Sequence, residues 1–219
     1  MTLATYPFIF RDSIRLTSPT GTSAATLREF LVGIETVVPE VLHHHLRETP
    51  LRYPFRPGDL PNDFSIWAAR GLEDSALAER LAVLDPFHER DIETLRERVV
   101  EAVEISLEED HYGRSVLPGR EFFFARSFAV EIELGITAST MEELLRCLEI
   151  IPGTSLYYHV YEARLRNPDG RDDISVWLDT SLGAQYLTVR LSDLDIYLLS
   201  LENCRRVIIE LLEDGYDLQ

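Results

Sequence analysis

The sequence contains no lysine, only two cysteines and no long apolar run. No segment approaches the roughly 18 uninterrupted apolar residues that a membrane-spanning helix needs, so we expect no membrane partner. All 21 basic residues are arginines, against 38 acidic residues, which gives a net charge of −17. Such an acidic surface repels phosphate backbones and anionic lipids, so we expect no nucleic-acid partner either. Missing lysine is compatible with a GC-rich genome, salt adaptation or heat adaptation.

Both cysteines, Cys147 and Cys204, lie among apolar neighbours in helix-like segments and form no CxxC spacing. This pattern predicts two reduced, buried thiols, with a disulfide or a nucleophile as the less favoured alternative. The first ten residues, MTLATYPFIF, lack the basic stretch and apolar run of a signal peptide. We therefore expect a cytoplasmic protein.

A 23-residue stretch occurs twice, at Asp63–Asp85 and again 110 residues later at Asp173–Asp195. Nine aligned positions are identical in the two copies: Asp63/Asp173, Ser65/Ser175, Trp67/Trp177, Leu72/Leu182, Leu77/Leu187, Arg80/Arg190, Leu81/Leu191, Leu84/Leu194 and Asp85/Asp195. Chance would give about two such matches, so the sequence indicates an internal duplication. We predict a first repeat at 1–110, a linker at 111–120 and a second repeat at 121–219.

Each repeat begins with aromatic residues at alternate positions, Phe8 and Phe10 in the first and Phe122 and Phe124 in the second. This pattern predicts a short aromatic strand or extended segment, shorter in the first repeat because TSPTG follows there. Apolar residues at helical spacing predict about four helices after it. The expected fold class is α+β and predominantly helical.

Several shared residues have an expected structural role. Thr26 and Thr140 each precede a glutamate by three residues, which is the capping-box pattern of a helix start. Asp63 and Asp173 are expected to be N-caps, since a carboxylate there accepts from exposed amides. Trp67 and Trp177 are expected to anchor the core. We also predict that the cap carboxylate pairs with Arg80 in the first repeat, and with Arg190 in the second.

The candidate binding residues are those that both repeats retain: His45, His159, Arg80 and Arg190. Each histidine either lines a cleft or contacts the helix that carries the aspartate, and packing inside the protein is the favoured interpretation. The run His43-His44-His45 does not converge on one metal ion if it is helical, so we predict no metal site. No nucleotide-binding, nucleophile-elbow or zinc-protease motif is present, so we predict no cofactor and assign no catalytic residue.

The runs FFFARSF, TMEELLRCLEIIPGTSLYYHV and DDISVW resemble an uncharacterised bacterial family known only as a domain of unknown function. The first repeat retains the resemblance in FIFRDSI, TLREFLVGIETVVPEVLHHHL and PNDFSIW. The resemblance implies two tandem copies of that domain. It also implies a glycosyltransferase as partner or pathway, and it supplies no catalytic residues.

Three classes of function remain open. A non-enzymatic binding or regulatory module is favoured, because the two copies share packing residues and helix caps rather than a reactive set. The alternatives are an enzyme acting on a sugar or sugar phosphate, in a cleft between the repeats, and a structural oligomerisation unit. The expected partner is a second copy of the chain, in a homo-oligomer, or another protein such as a glycosyltransferase.

Overall fold

Two antiparallel strands of 17 residues each, β1 (Phe8–Ala24) and β2 (Phe122–Ala138), form a two-stranded sheet. They come from a computed structural model that describes residues 3–52, 59–109, 114–197 and 199–216. The remainder of the described chain is mainly helical, so the protein is a mostly helical α+β protein. Residues 111–113 of the predicted linker lie outside the described residues.

The prediction that the first strand is the shorter one is wrong. β1 includes the TSPTG segment and equals β2 in length. The reason is that β2 supplies hydrogen-bond partners along this segment: the Thr20 hydroxyl donates to the Phe124 carbonyl oxygen at 2.7 Å. A single proline is tolerated in a strand with a free edge, since its missing N–H costs no ladder bond there.

The chain forms two compact units, and each strand contributes one end to each of them. We call Arg15–Tyr53 with Gly58–Phe128 the His45 unit, and Met1–Ile14 with Ala129–Gln219 the His159 unit. The start of β2 thus belongs with the helices of the first sequence half, and the start of β1 with those of the second. Each structural unit therefore combines the helices of one predicted repeat with the start of the strand from the other repeat. The boundaries of the repeats stay a prediction.

The helices of the His45 unit are α1 (Leu27–Thr36), α2 (Pro39–Arg47), α3 (Thr49–Arg52), α4 (Asp63–Arg70), α5 (Ser75–Ala82) and α6 (Ile92–Glu109). Those of the His159 unit are α7 (Met141–Ile150), α8 (Gly153–Tyr157), α9 (Ala163–Arg166), α10 (Asp173–Trp177), α11 (Gln185–Ser192) and α12 (Leu201–Tyr216). A π-helical turn at Tyr158–Glu162 joins α8 to α9, and another at Leu178–Leu182 follows α10. Within the described residues, no helix combines the length and apolar character needed to cross a bilayer.

Helix starts follow the polar residues that precede them. The Thr26 hydroxyl accepts the Glu29 N–H at 3.1 Å, while the Glu29 carboxylate accepts the Thr26 N–H at 3.1 Å, so each side chain satisfies an exposed amide. Thr140 caps α7 by accepting the Glu143 N–H at 3.2 Å. Pro39 occupies the first position of α2, where its missing N–H costs no intrahelical bond.

The predicted N-caps at Asp63 and Asp173 are wrong by one residue. Asn62 caps α4 by accepting the Ser65 N–H at 2.9 Å, and Asp172 caps α10 by accepting the Ser175 N–H at 2.8 Å. The caps are the preceding residues because these have extended backbone and buried side chains that reach the amides. The carboxylates of the next residues, Asp63 and Asp173, are thereby left for other partners.

Each unit has an aromatic core built on a tryptophan. In the His45 unit Trp67 stacks on Phe30 with ring centroids 4.8 Å apart, and its Nε1–H donates to the Arg120 carbonyl oxygen at 3.0 Å. In the His159 unit Trp177 packs edge-on against Phe8 at 5.8 Å, and its Nε1–H donates to the Tyr6 carbonyl oxygen at 2.7 Å. Only 7% and 6% of the two tryptophans is exposed, so both are core residues with a satisfied N–H.

Glu73 is the one non-glycine residue of the described chain with a positive φ, 56°. The aligned residue of the second sequence copy is Gly183, whose φ is 67°. Left-handed backbone costs a side-chain-bearing residue about 1–2 kcal/mol, whereas glycine adopts it freely. The first sequence copy therefore has a strained residue, Glu73, at a turn where the second copy has a glycine that adopts the same backbone conformation without strain.

We expect Glu73→Gly to raise the free energy of unfolding by about 0.5–1 kcal/mol, because the relieved strain exceeds the added entropy of the unfolded chain. Gly183→Ala should lower it by about 1 kcal/mol by introducing the same strain. Nothing lies within 4 Å of a Cβ built on Gly183, so no steric clash would confuse the comparison. Urea unfolding of both variants provides the measurement, and equal signs for the two changes would contradict this explanation.

Candidate functional site

His45 lies on α2 and links that helix to α4 and to β2. Its Nδ1 is 2.7 Å from an Asp63 carboxylate oxygen, and its Nε2 accepts the backbone N–H of Ala125 at 3.0 Å. An imidazole nitrogen that accepts an amide proton carries no proton, so the geometry assigns the proton to Nδ1, which donates to Asp63. The side chain is only 5% exposed. Both ring nitrogens of His45 thus make buried structural hydrogen bonds.

His159 makes the same pair of contacts in the His159 unit. Its Nδ1 is 2.8 Å from an Asp173 carboxylate oxygen, and its Nε2 accepts the backbone N–H of Arg11 on β1 at 2.8 Å. Burial raises the pKa of the Asp173 carboxyl, but the His159 hydrogen bond and the Arg166 charge more than offset it, and the pKa is lowered overall. In each unit, therefore, a histidine contacts a strand amide and the aspartate at the start of a later helix, α4 or α10.

A group of three side chains, His44, His45 and Asp63, has its possible metal-ligand atoms within 4.8 Å of one another. Two of these atoms, His45 Nδ1 and Asp63 Oδ2, are joined by a proton at 2.7 Å, and His45 Nε2 already accepts an amide. A metal ion needs an unprotonated, uncommitted nitrogen. The arrangement is that of a hydrogen-bond network, so we assign no metal here.

Glu48 follows α2 and gathers a second buried polar group. It contacts the Arg15 guanidinium of β1 and the Ser127 hydroxyl of β2, and its other oxygen lies 2.8 Å from His44 Nδ1. Burial raises its pKa, but the hydrogen bonds from His44 and Ser127 and the Arg15 charge outweigh burial and lower the pKa from 4.5 to about 2. Glu48 therefore remains a carboxylate that ties α2 to both strands.

This shift makes the His45 unit sensitive to acid. The folded-state pKa of Glu48 lies below the unfolded value, so its stabilisation is fully present above about pH 4.5 and is lost as the pH falls towards 2. The loss amounts to at most about 3 kcal/mol. We expect Glu48→Gln to flatten the fall in unfolding free energy between these pH values. Urea unfolding at several pH values tests this, with the exposed Glu79→Gln as control; a Glu48→Gln curve parallel to the parent would contradict it.

The structure does not bring the predicted arginines to the aspartates. Arg80 forms a two-point ion pair with Glu109 of α6, at 2.7 and 2.9 Å. Arg190 is exposed on α11. The predicted Asp63–Arg80 pair is wrong, because α5 directs Arg80 towards the end of α6 while His45 reaches Asp63 from α2. Of the four candidate binding residues, the two histidines are buried in structural contacts and the two arginines lie on the surface.

The cysteines offer no activated nucleophile. Both are free, and Cys204 is fully buried, which raises the pKa of its thiol to about 12. Cys147 is partly exposed rather than buried as predicted, and burial of part of its side chain still raises its thiol pKa. A thiol with a raised pKa carries little thiolate at neutral pH, and the thiolate is the reactive form.

An open groove of about 720 Å³ lies in the His45 unit, beside the end of α4 and the start of β2. Its wall is apolar along Ile66, Trp67 and Phe123, and 63% of Phe123 is exposed. Three charged residues of the lining are exposed: Arg70 at the end of α4, Glu73 in the strained turn, and Arg120 before β2. The His45–Asp63 pair also borders the groove, with its side chains only 5% and 15% exposed. An apolar wall with a few charged groups is typical of a small-molecule site.

The two arginines of the groove differ in their partners. The Arg120 guanidinium lies 3.5 Å from the Glu73 carboxylate and donates to the Arg70 carbonyl oxygen at 3.2 Å. The Arg70 guanidinium is exposed and has no partner among the residues that the structure describes. Sequence reasoning missed this site because it concentrated on residues that both copies retain, whereas Arg70 and Glu73 align with Thr180 and Gly183. The sequence feature that points to this groove is therefore the presence of charged residues in one copy at positions where the other copy has uncharged ones.

The fold and the buried clusters thus define a mostly helical α+β protein in which the shared polar residues serve the structure. The chain belongs to a family of unknown function, DUF5752, which matches residues 5–213. It is similar in structure to OrfY from Thermoproteus tenax, with a TM-score of 0.79 and 25% sequence identity over 99% of this chain and 98% of that chain. No curated protein matches the sequence.

Proposed function

We propose that the chain is a non-enzymatic cytoplasmic binding or regulatory module, built by internal duplication, and that the groove of the His45 unit is its ligand site. The observation that carries the proposal is a difference between two sets of polar residues: those that both copies retain make structural contacts, and the groove has charged residues that only one copy contains. His45 and His159, which both copies retain, are occupied by Asp63 and Asp173 and by strand amides. The groove's Arg70 and Glu73 belong to one copy alone.

The duplication is supported by contacts that recur at aligned positions. The tryptophan of each unit donates to a carbonyl oxygen just before a strand, and the histidine of each unit accepts the amide of the fourth residue of a strand. In a duplicated chain, one copy can keep the inherited packing while the other gains a ligand site. Arg70 and the strained Glu73 fit that history, since backbone strain concentrates where function requires it.

Binding is tested with the full chain by calorimetry against sugars, sugar phosphates and nucleotides, after a thermal-shift screen of the same compounds. We expect at least one compound to bind and to be recovered unchanged after long incubation. Arg70→Ala should weaken its binding about tenfold or more, since hydrogen bonds to a charged group are worth about 1.5–3 kcal/mol. Arg190→Ala, an exposed arginine outside the groove, is the matched control and should bind as the parent does.

Three results would contradict the proposal. Conversion of the compound to a product would establish the enzyme alternative. Binding that persists at parental strength in Arg70→Ala would remove the groove as the site. A chain that binds none of the compounds but self-associates would favour the structural oligomerisation unit, and a protein partner such as a glycosyltransferase would then be sought first.

A further inference from the structure

We propose that the groove of the His45 unit selects a small molecule carrying an oxyanion, a phosphate or carboxylate, and that Glu73 is a built-in competitor for the Arg120 guanidinium. This inference rests on the proposed function and specifies its ligand class. Its basis is the arrangement of Arg70, Arg120 and Glu73 along one apolar wall. The second carboxylate of the lining, Asp63, is held by His45 at 2.7 Å and is only 15% exposed, so Glu73 is the exposed acidic group of the groove.

The arginines supply the attraction. In a chain of net charge −17, long-range electrostatics repel anions, so capture of an anion requires local positive groups. Arg70 and Arg120 line the same groove, and the Arg120 side chain is 50% exposed. A guanidinium presents planar donors that match the oxygens of phosphate and carboxylate at two points. The pair therefore suits an oxyanion better than a neutral group.

The wall defines what carries the anion. Ile66 and the exposed ring of Phe123 present apolar surface next to the arginines. A groove of about 720 Å³ accommodates a molecule of the size of a nucleotide or a phosphorylated sugar. The ring face of a base or the apolar face of a sugar would pack on this wall while the oxyanion contacts Arg70.

Glu73 is an internal substitute for the ligand's oxyanion. Its carboxylate lies 3.5 Å from the Arg120 guanidinium. The Glu73 backbone adopts a left-handed conformation with φ 56°, and the aligned residue of the other copy is Gly183. A carboxylate at that distance occupies the same donors that an incoming oxyanion would use. It also repels that oxyanion, so binding requires Glu73 to move away from Arg120. Such a competitor sets the affinity and favours ligands of higher charge.

The experiment measures binding of paired probes to the full chain by calorimetry: glucose 6-phosphate with glucose, glucuronate with glucose, AMP with adenosine, and inorganic phosphate alone. We expect the phosphorylated or carboxylated member of a pair to bind at least tenfold more tightly than its neutral partner. Phosphate against carboxylate distinguishes the two sources of the oxyanion. Inorganic phosphate should bind more weakly than the esters, because it makes no contact with the wall.

Glu73→Gln tests the competitor directly. Removing one negative charge beside the bound oxyanion should tighten anionic probes about fivefold and leave neutral probes unchanged. Glu73→Gly should tighten them similarly and also melt at a higher temperature, which separates binding from backbone strain. Glu109→Gln, another exposed glutamate paired with an arginine, is the matched control and should change affinity less than twofold.

Two outcomes would overturn the inference and leave the proposed function standing. The first is a neutral probe that binds as tightly as its charged partner yet loses affinity in Arg70→Ala. The second is an anionic probe whose affinity is unchanged or weaker in Glu73→Gln, which would make Glu73 a contributor to binding. Failure of every probe to respond to Arg70→Ala would instead remove the groove itself, and with it the proposed function.

Discussion

Replacing His45 with alanine should lower the free energy of unfolding by about 3–5 kcal/mol, because two buried groups lose a hydrogen-bond partner at about 1–3 kcal/mol each, and more where the group is charged. The substitution leaves the Ala125 N–H without its acceptor and removes the imidazole donor of the Asp63 carboxylate, which is only 15% exposed. His159→Ala should cost a similar amount, because it removes the same two bonds from the Arg11 N–H and Asp173. Urea unfolding followed by circular dichroism measures both changes.

The pairing itself is tested by a double-mutant cycle of His45→Ala with Asp63→Asn. Contacting residues are coupled by about 0.5–3 kcal/mol, so the double variant should lose less than the sum of the single losses. His88→Ala, at an exposed histidine of the same unit, should change stability by less than about 0.5 kcal/mol. Additive losses at His45 and Asp63 would show that the imidazole does not support the carboxylate.

Trp67→Ala is the second substitution with a large expected effect, about 3–5 kcal/mol, as for other large aromatic residues in cores. It removes the ring that stacks on Phe30 and the N–H that holds the Arg120 carbonyl oxygen. Trp177→Ala should behave alike in the other unit, where the ring contacts Phe8. The same unfolding measurement checks both variants. Trp67→Phe, which removes the N–H and part of the indole but keeps an aromatic ring, should lose less stability than Trp67→Ala.

The control for Trp67 is Phe123→Ala, an aromatic residue of which 63% is exposed. It should cost less than about 1 kcal/mol, because little apolar surface is returned to water. If Trp67→Ala cost no more than Phe123→Ala and left the circular dichroism spectrum unchanged, Trp67 would be a surface residue. A role as a platform for ligand in the adjoining groove would then become the better explanation of its presence in both copies.

The features that could be predicted from the sequence are governed by neighbours along the chain. The Thr26–Glu29 capping box involves residues three positions apart, and Pro39 sets its own helix position through its ring. Both depend on backbone chemistry that one turn of helix contains. The N-cap of α4 was misplaced by one residue because Asn62 and Asp63 are both good caps in sequence. The extended backbone and the buried side chain of Asn62 distinguish the two in the structure.

The features that could not be predicted depend on partners distant in the sequence. Nothing local indicates that His45 accepts the amide of Ala125, 80 residues away, or that β2 supports the TSPTG segment of β1. The sequence also does not indicate that the start of each strand belongs with the helices of the other repeat, because the aromatic patterns of the two strands are alike. A search for residues shared by the two copies also does not find Arg70 and Glu73, because the second copy has different residues at those positions.

The central claim is that the polar residues shared by both copies hold strands and helix starts, so that function lies elsewhere. It is tested most directly by long-range proton–nitrogen NMR of the imidazoles at neutral pH, with His45→Ala and His159→Ala used for assignment. We predict that both His45 and His159 carry their proton on Nδ1 and none on Nε2, because Nε2 accepts a strand amide in each unit. A proton on Nε2 of either histidine would contradict the account.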